Sequence, residues 1–453
     1  MILNTSFFRN MMSIGAITSF VACSQPPAET PENPAENVEC DGGVCVLSGT
    51  ITEDLTLTAD RSWLLRGGVF IGNDVDETIL TIEAGTQIFG ETSTRGMLVI
   101  TRGSKIMAEG SAEAPIVMTS SKAEGERARG DWGGLIINGR APVNGCDETP
   151  CESYGEGGTG YYGGDQTDDS SGMLKYVRVE FAGQLISPDN ELNGIAFQGV
   201  GSGTEVDYIQ VHMGSDDGVE FFGGSVNAKH ILLTGIADDN VDWTDGWTGK
   251  LQFVAVQQYE DAGDNGIEAD NNGEDNASLP RSAPVLSNVT LVGSPDSSNS
   301  DVGILLREGT GANLHNFIVT GFNDVGIDVD HAETFANALS GNDTDGYSLT
   351  GNLTIENSIF DNATNFDVDD DETDEPVSVE TFVLELNEGN VAGLAGLRDP
   401  FEIGVNDLRP SSDSIATSGA VVPDDAFFDQ VDYKGAFAPD SDWTEGWTVS
   451  YRN

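Results

Sequence analysis

One short phrase returns six times between Asn193 and Asp328, and its spacing constrains the fold more than any other feature of the chain. It reads Asn193-Gly194-Ile195-Ala196, Asp217-Gly218-Val219-Glu220, Asp239-Asn240-Val241-Asp242, Asn265-Gly266-Ile267-Glu268, Val302-Gly303-Ile304-Leu305 and Val325-Gly326-Ile327-Asp328. The Gly or Asn column falls at 194, 218, 240, 266, 303 and 326, so most steps are 22–26 residues. A period of that size belongs to units that bury a face only by stacking on their neighbours.

A β-rich segment precedes each phrase: Tyr208-Ile209-Gln210-Val211, His230-Ile231-Leu232-Leu233, Phe253-Val254-Ala255-Val256, Asn288-Val289-Thr290-Leu291 and Phe317-Ile318-Val319. Alternation puts Ile209 and Val211 on one face and Gln210 on the other. Two or three short strands per period, with Gly, Asn and Asp at corners where φ > 0 is expected, match one coil of a parallel β-helix. Propeller blades would need a repeat of about 40 residues. Helical periodicity is lacking before about residue 380.

The start of the chain reads as an export signal over 1–22, with Arg9 ahead of an apolar run. Phe20-Val21-Ala22-Cys23 resembles a bacterial lipobox, which implies lipidation of Cys23. Ser24 after the Cys implies the outer membrane, at its surface or periplasmic face. Residues 23–39 form the lipidated Cys and a Pro/Glu/Ala/Asn-rich tether. Contact with a membrane is expected through the lipid alone, because no later apolar run is long enough to span one. Residues 40–453 are expected to be a single β-helix domain with insertions at 146–171 and 363–426. Cys40, Cys45, Cys146 and Cys151 come as two close pairs, which points to local disulfides in an exported chain; a zinc site is the alternative.

The chain holds 76 acidic and 20 basic residues, a net charge of −56. Nucleic acid and anionic membrane surfaces would be repelled, so neither is an expected partner. A solvated acidic surface and cation binding both remain open.

Further segments carry a resemblance. Gly172-Met173-Leu174-Lys175-Tyr176-Val177-Arg178-Val179-Glu180-Phe181-Ala182-Gly183, Gly214-Ser215-Asp216-Asp217-Gly218-Val219-Glu220-Phe221-Phe222-Gly223-Gly224 and the closing Trp443-Thr444-Glu445-Gly446-Trp447-Thr448 resemble a family of exported bacterial β-helix lipoproteins of Gram-negative marine and Bacteroidetes-type organisms. The resemblance runs from about residue 48 to the end. It implies an all-β, right-handed parallel β-helix solenoid of pectin-lyase-like type, capped at the C-terminus and carrying loop insertions. It implies no activity, and no catalytic residue is carried over.

Chemistry is therefore sought in the columns. The apolar residue after Gly or Asn should point inward and the next outward, which stacks Glu220, Asp242 and Glu268 on one outer face. Asp217 and Asp239 form a second column that Asp264 and Asn265 continue, with Asp270 nearby. Adjacent coils lie about 4.8 Å apart, where two carboxylates repel by about 1 kcal/mol in water and more when desolvated. Calcium, proton sharing or full solvation could compensate. Asp217, Glu220, Asp239, Asp242, Asp264, Glu268 and Asp270 are the expected calcium ligands. No catalytic set is read; in an enzyme, Asp217, Glu220, Asp239, Asp242 and Glu268 would carry the reaction. Lys229, Lys250, Arg178 and Arg307 read as isolated in an acidic field, unsuited to holding uronates.

Tyr161 and Tyr162, in a Gly- and Tyr-rich insertion, and Trp247, in Asp242-Trp243-Thr244-Asp245-Gly246-Trp247-Thr248, are expected to contact ligand. Trp132 and Trp243 read as packing residues. The C-terminal copy at Asp442–Thr448 is expected to cover the last coil, and a helix around Val379 to Leu397 to lie over the coils. The function expected is a calcium-stabilised surface module that binds or adheres to glycans or an outer-membrane protein. A partner lipoprotein of an import or secretion complex is one rival; a polysaccharide lyase or glycoside hydrolase is the other.

Overall fold

A computed structural model describes residues 37–146, 149–187, 190–342, 344–368, 375–404 and 407–451. The leader, Cys23 and most of the tether lie outside the described residues. Twenty-six strands join into one continuous coiled sheet. It consists of three parallel ladders, which makes each coil triangular.

The first ladder runs through Gly134–Asn138, Ile195–Gln198, Val219–Phe222, Val241–Thr244, Ile267–Ala269, Ile304–Leu306 and Asp328–Val329. Its register pairs Ile195 with Val219, Val219 with Val241 and Val241 with Ile267. These side chains are fully buried, so the inward column read from the repeats is the core. The other two ladders share the long strands Gly172–Glu180, Glu205–His212, Asn227–Thr234, Lys250–Gln257 and Val285–Val292.

Each long strand turns a corner at one residue of positive φ: Tyr176, Tyr208, His230, Phe253 and Asn288. Bulky residues resist that conformation. Here their rings compensate by stacking coil on coil, Tyr176 on Tyr208 at 4.5 Å, Tyr208 on His230 at 4.1 Å and His230 on Phe253 at 5.0 Å. The recurrent Gly column behaves differently from the sequence expectation. Gly194, Gly218, Gly266, Gly303 and Gly326 do not have positive φ. Glycine is needed there because the next coil is too close: a Cβ on Gly218 would sit 2.5 Å from the Asn240 carbonyl oxygen.

At the N-terminal end, Val38–Asp41 pairs antiparallel with Val44–Ile51 and is closed by the Cys40–Cys45 disulfide. The C-terminal end is capped by Val379–Thr381 and Phe382–Leu386, whose Val379, Phe382 and Val383 enter the core beside Phe335. Phe335 lies on a seven-residue helix, Ala332–Ala338, too short to show periodicity in the sequence. Val391–Ala392 continues the third ladder, so the interval 363–426 is not wholly an insertion.

The second Trp motif does not cover the last coil. Residues 421–451 instead form a strap along the flank, and outward amides hold it by imitating a strand edge. Gln210 donates to the Val449 carbonyl at 2.6 Å and accepts from the Val449 N–H at 2.9 Å. Gln252 does the same with Asp429, and Asn316 with Val421. Trp447 and Trp443 pack edge-on against the aromatic corner. His212, buried and pushed down to a pKa of about 4, is neutral. Its Nε2 faces the Tyr451 carbonyl, so that nitrogen carries the proton and Nδ1 accepts from the Thr234 hydroxyl.

Candidate metal centre

The register that builds the core also builds the acid column. Glu220 pairs with Asp242, and Asp242 with Glu268. The loops entering these strands bring Asp216, Asp217, Asp238, Asp239 and Asp264 alongside. Three trios have carboxylate oxygens within 4.8 Å of one another: Asp216, Asp217 and Asp238; Asp217, Glu220 and Asp242; and Asp238, Asp239 and Asp264. Asp217 and Asp238 each belong to two trios. Asp216 and Asp238 were missed in the sequence as ligand candidates, although their place beside Asp217 and Asp239 in a repeated Asp-Asp pair was the signal.

This face is less open than an outer face suggests. Asp217 and Glu220 are 8% exposed and Asp239 is 5% exposed. Glu156 of the insertion and Glu191 add their negative field at Asp216. Burial, reinforced by like charge, raises the pKa of Asp217, Glu220, Asp239 and Asp242 far above the carboxylate range. The same causes push Asp216 up to about 8 and Asp264 to about 6. Burial lifts Glu268 to about 7, against the pull of Arg307.

The two ends of the column are finished differently. Arg307, one coil beyond Asp270, pairs with Asp270 at 2.9 Å and also with Glu268. It is not isolated, and neither are Arg178, Lys229 and Lys250, which pair with Glu180, Asp429 and Asp425. The register brings Arg307 to its partners, the C-terminal segment supplies those of Lys229 and Lys250, and Arg178 and Glu180 are neighbours on one strand. Replacing Arg307 by Gln should leave Glu268 and Asp270 unneutralised and cost about 2 kcal/mol, read by urea unfolding; an unchanged midpoint would show that the pair is energetically idle.

At the other end, among the described residues, no Lys or Arg forms an ion pair with the Asp217, Glu220 and Asp242 trio, and Arg307 acts on Asp242 only through its field, which burial and the Glu268 and Asp270 charges outweigh. Asn193 caps it: its Nδ2 donates to Glu220 Oε2 at 2.5 Å. The Asn193 Oδ1 and the Asp242 Oδ1 are buried without a hydrogen-bond partner. Buried acceptors that face carboxylates instead of donors are costly. The donor set is entirely oxygen, with no His or Cys, which suits a hard cation such as calcium.

The three aromatic candidates separate. Trp247 is fully buried, stacked on Phe221 at 4.0 Å, and has no ring to offer a ligand. Tyr162 is also buried, its hydroxyl donating to Asp245 at 3.2 Å. Trp247 points into the solenoid core, whereas Tyr162 packs outside it in a small cluster with Val143, Cys151 and Phe222. Tyr161 remains exposed. The Cys146–Cys151 disulfide closes the loop leading into its hairpin. Trp132 is buried, with its Nε1 donating to the Glu180 carbonyl.

The model of the pectate-lyase-like β-helix domain matches residues 49–396. The chain belongs to that family. No curated protein and no solved structure matches it. The family match accounts for the solenoid and agrees with its ladders; by itself it assigns no chemistry to the acid column.

Proposed function

We propose that this β-helix is an exported, lipid-anchored surface module that is stabilised by calcium and binds glycans. The observation that carries the cation reading is the Asp217, Glu220 and Asp242 trio, with unpartnered acceptors on Asn193 and Asp242 and no ion pair to a protein cation among the described residues. Asp217, Glu220, Asp242 and Asn193 would hold the ion, and Asp239 and Asp264 would line a second position. Bound calcium would supply positive charge that lets the buried carboxylates ionise. The chain's own residues would align the coils around it.

The lipobox-like Cys23 and the two disulfides support export and an outer-membrane address. None of the helices among the described residues is long and apolar enough to cross a membrane. A hydrolase or lyase is the second reading, and the raised carboxyls favour it, since an acid protonated at neutral pH can donate a proton. Calorimetric titration of calcium into the chelator-stripped protein separates the two. The cation reading expects saturable binding that is lost in Glu220→Gln; release of reducing or unsaturated sugar ends from a polysaccharide panel would favour the enzyme. Absence of calcium binding near neutral pH would sink the cation reading.

A further inference from the structure

Outside the acid column, one surface combines an exposed aromatic pair with a polar cleft. Ser153–Gly155 and Gly160–Tyr162 form an antiparallel hairpin in which Tyr154 stands directly opposite Tyr161. Their rings meet edge to face at 4.9 Å, yet they are 60% and 55% exposed. Two adjacent tyrosines left open to water on a stapled hairpin are not serving the core. Arg102 backs the Tyr161 ring, its Cζ 5.9 Å from the centroid. Arg102 is itself fixed by Asp74 at 2.7 Å, Glu152 at 2.8 Å and the Gly163 carbonyl at 3.2 Å. The platform is therefore preorganised.

Arg102 also lines a cleft that opens next to the hairpin. That cleft shares Arg140 and Gln166 with a larger neighbour of about 400 Å³. Arg140 lies across Gly103, where a Cβ would sit 2.6 Å from its Nη2. In a chain with 76 acids, Arg140 makes no ion pair with any described residue, and Asp169 takes only its backbone N–H. Its side chain makes one long contact, 3.5 Å to the Arg102 carbonyl. The larger cleft adds Asp168, Asp169 and Lys105, the last already paired with Glu77 at 2.8 Å. Apart from Val75, no apolar side chain lines it.

We infer that this cleft and the Tyr154–Tyr161 platform form a binding site for a neutral, hydroxyl-rich saccharide chain. A sugar presents an apolar face of C–H groups, which fits an exposed ring, and a rim of hydroxyls that both donate and accept. The lining answers that rim: the carboxylates of Asp168 and Asp169 accept, while the guanidinium of Arg140 and the carboxamide of Gln166 donate. Polyanionic chains are disfavoured, because the lining carboxylates and the net charge of −56 repel them. This site rests on the glycan-binding reading above and gives it a location away from the acid column.

The test uses the full chain with calcium present throughout, titrated by calorimetry with neutral hexose oligosaccharides, and with uronate and sulfated oligosaccharides in parallel. Neutral chains are expected to bind. Tyr161→Ala and Arg140→Gln are each expected to weaken binding about tenfold, the scale of one aromatic or charge-assisted contact. Both substitutions are outside the core, so unchanged melting temperatures separate lost contact from lost fold, and Tyr154→Ala provides a second probe of the platform. Binding by neutral chains with unaltered affinity in all three variants would overturn this site and leave the glycan reading standing. Failure of every saccharide would overturn both, and binding confined to the acidic chains would overturn the assignment of ligand class.

Discussion

In calcium-free buffer the protein is expected to melt at a lower temperature at pH 8 than at pH 5, and Asp242→Asn is expected to reverse part of that loss. The sign follows from linkage. Asp216 has its folded pKa raised to about 8, Glu268 to about 7 and Asp264 to about 6, and burial with like charge also raises Asp217, Glu220, Asp239 and Asp242 well above the usual carboxylate range. An acid with a raised folded pKa exerts no penalty below its unfolded value. The penalty grows as pH passes that value and is complete above the folded one. For Asp216, Glu268 and Asp264 that window runs from about pH 4 to about pH 8.

Asp242 is the paired neighbour of both Glu220 and Glu268, so the amide removes the central member of the column while keeping its shape. At pH 8 without calcium, Asp242→Asn should be about 2 kcal/mol more stable than the parent, because a neutral amide escapes the pH-dependent penalty of a buried carboxyl whose folded pKa is raised. With calcium at about 100 times its Kd, the parent should gain about 3 kcal/mol and the variant much less. Melting curves at pH 5 and pH 8, with EDTA and with calcium, give all four values. A variant less stable than the parent in EDTA would mean that the column is cohesive without a cation, and the metal reading would go with it.

The second large effect lies in the core. Trp247→Ala should destabilise the solenoid by about 4 kcal/mol in urea unfolding. The indole is stacked on Phe221, lies 5.9 Å from Trp243 and donates to the Val226 carbonyl at 3.3 Å. Truncation opens a cavity between coils that cannot collapse, because the ladders on either side hold the backbone. A loss under about 1 kcal/mol would show that the coils relax into the gap.

Trp247 also shows where reading along the chain reaches its limit. Its phrase places Trp243 inward by alternation, but Trp247 follows the corner at Asp245 and Gly246, where period-two counting stops. Tyr162 differs for a related reason: its ring packs with Val143, Cys151 and Phe222, and its hydroxyl meets Asp245, 83 residues away. The strap is the same lesson on a larger scale. Alternation places Gln210 on the face opposite Ile209 and Val211, but Gln210, Gln252 and Asn316 each bind a segment more than 100 residues distant. Their burial could not be read from local pattern.

The acid column was legible for the opposite reason. A solenoid converts a repeat in sequence into adjacency in space, so Glu220, Asp242 and Glu268 at one place in successive repeats became neighbours. The stacked carboxylates, the inward Val and Ile column and the parallel β-helix itself all follow from that one property. What the tertiary structure alone decided is how each position is finished. Arg307 neutralises one end of the column, Asn193 caps the other, Glu156 of the insertion adds like charge beside it, and the strap covers the aromatic corner. Those contacts join segments that share no period, and periodicity carries information only about residues one repeat apart.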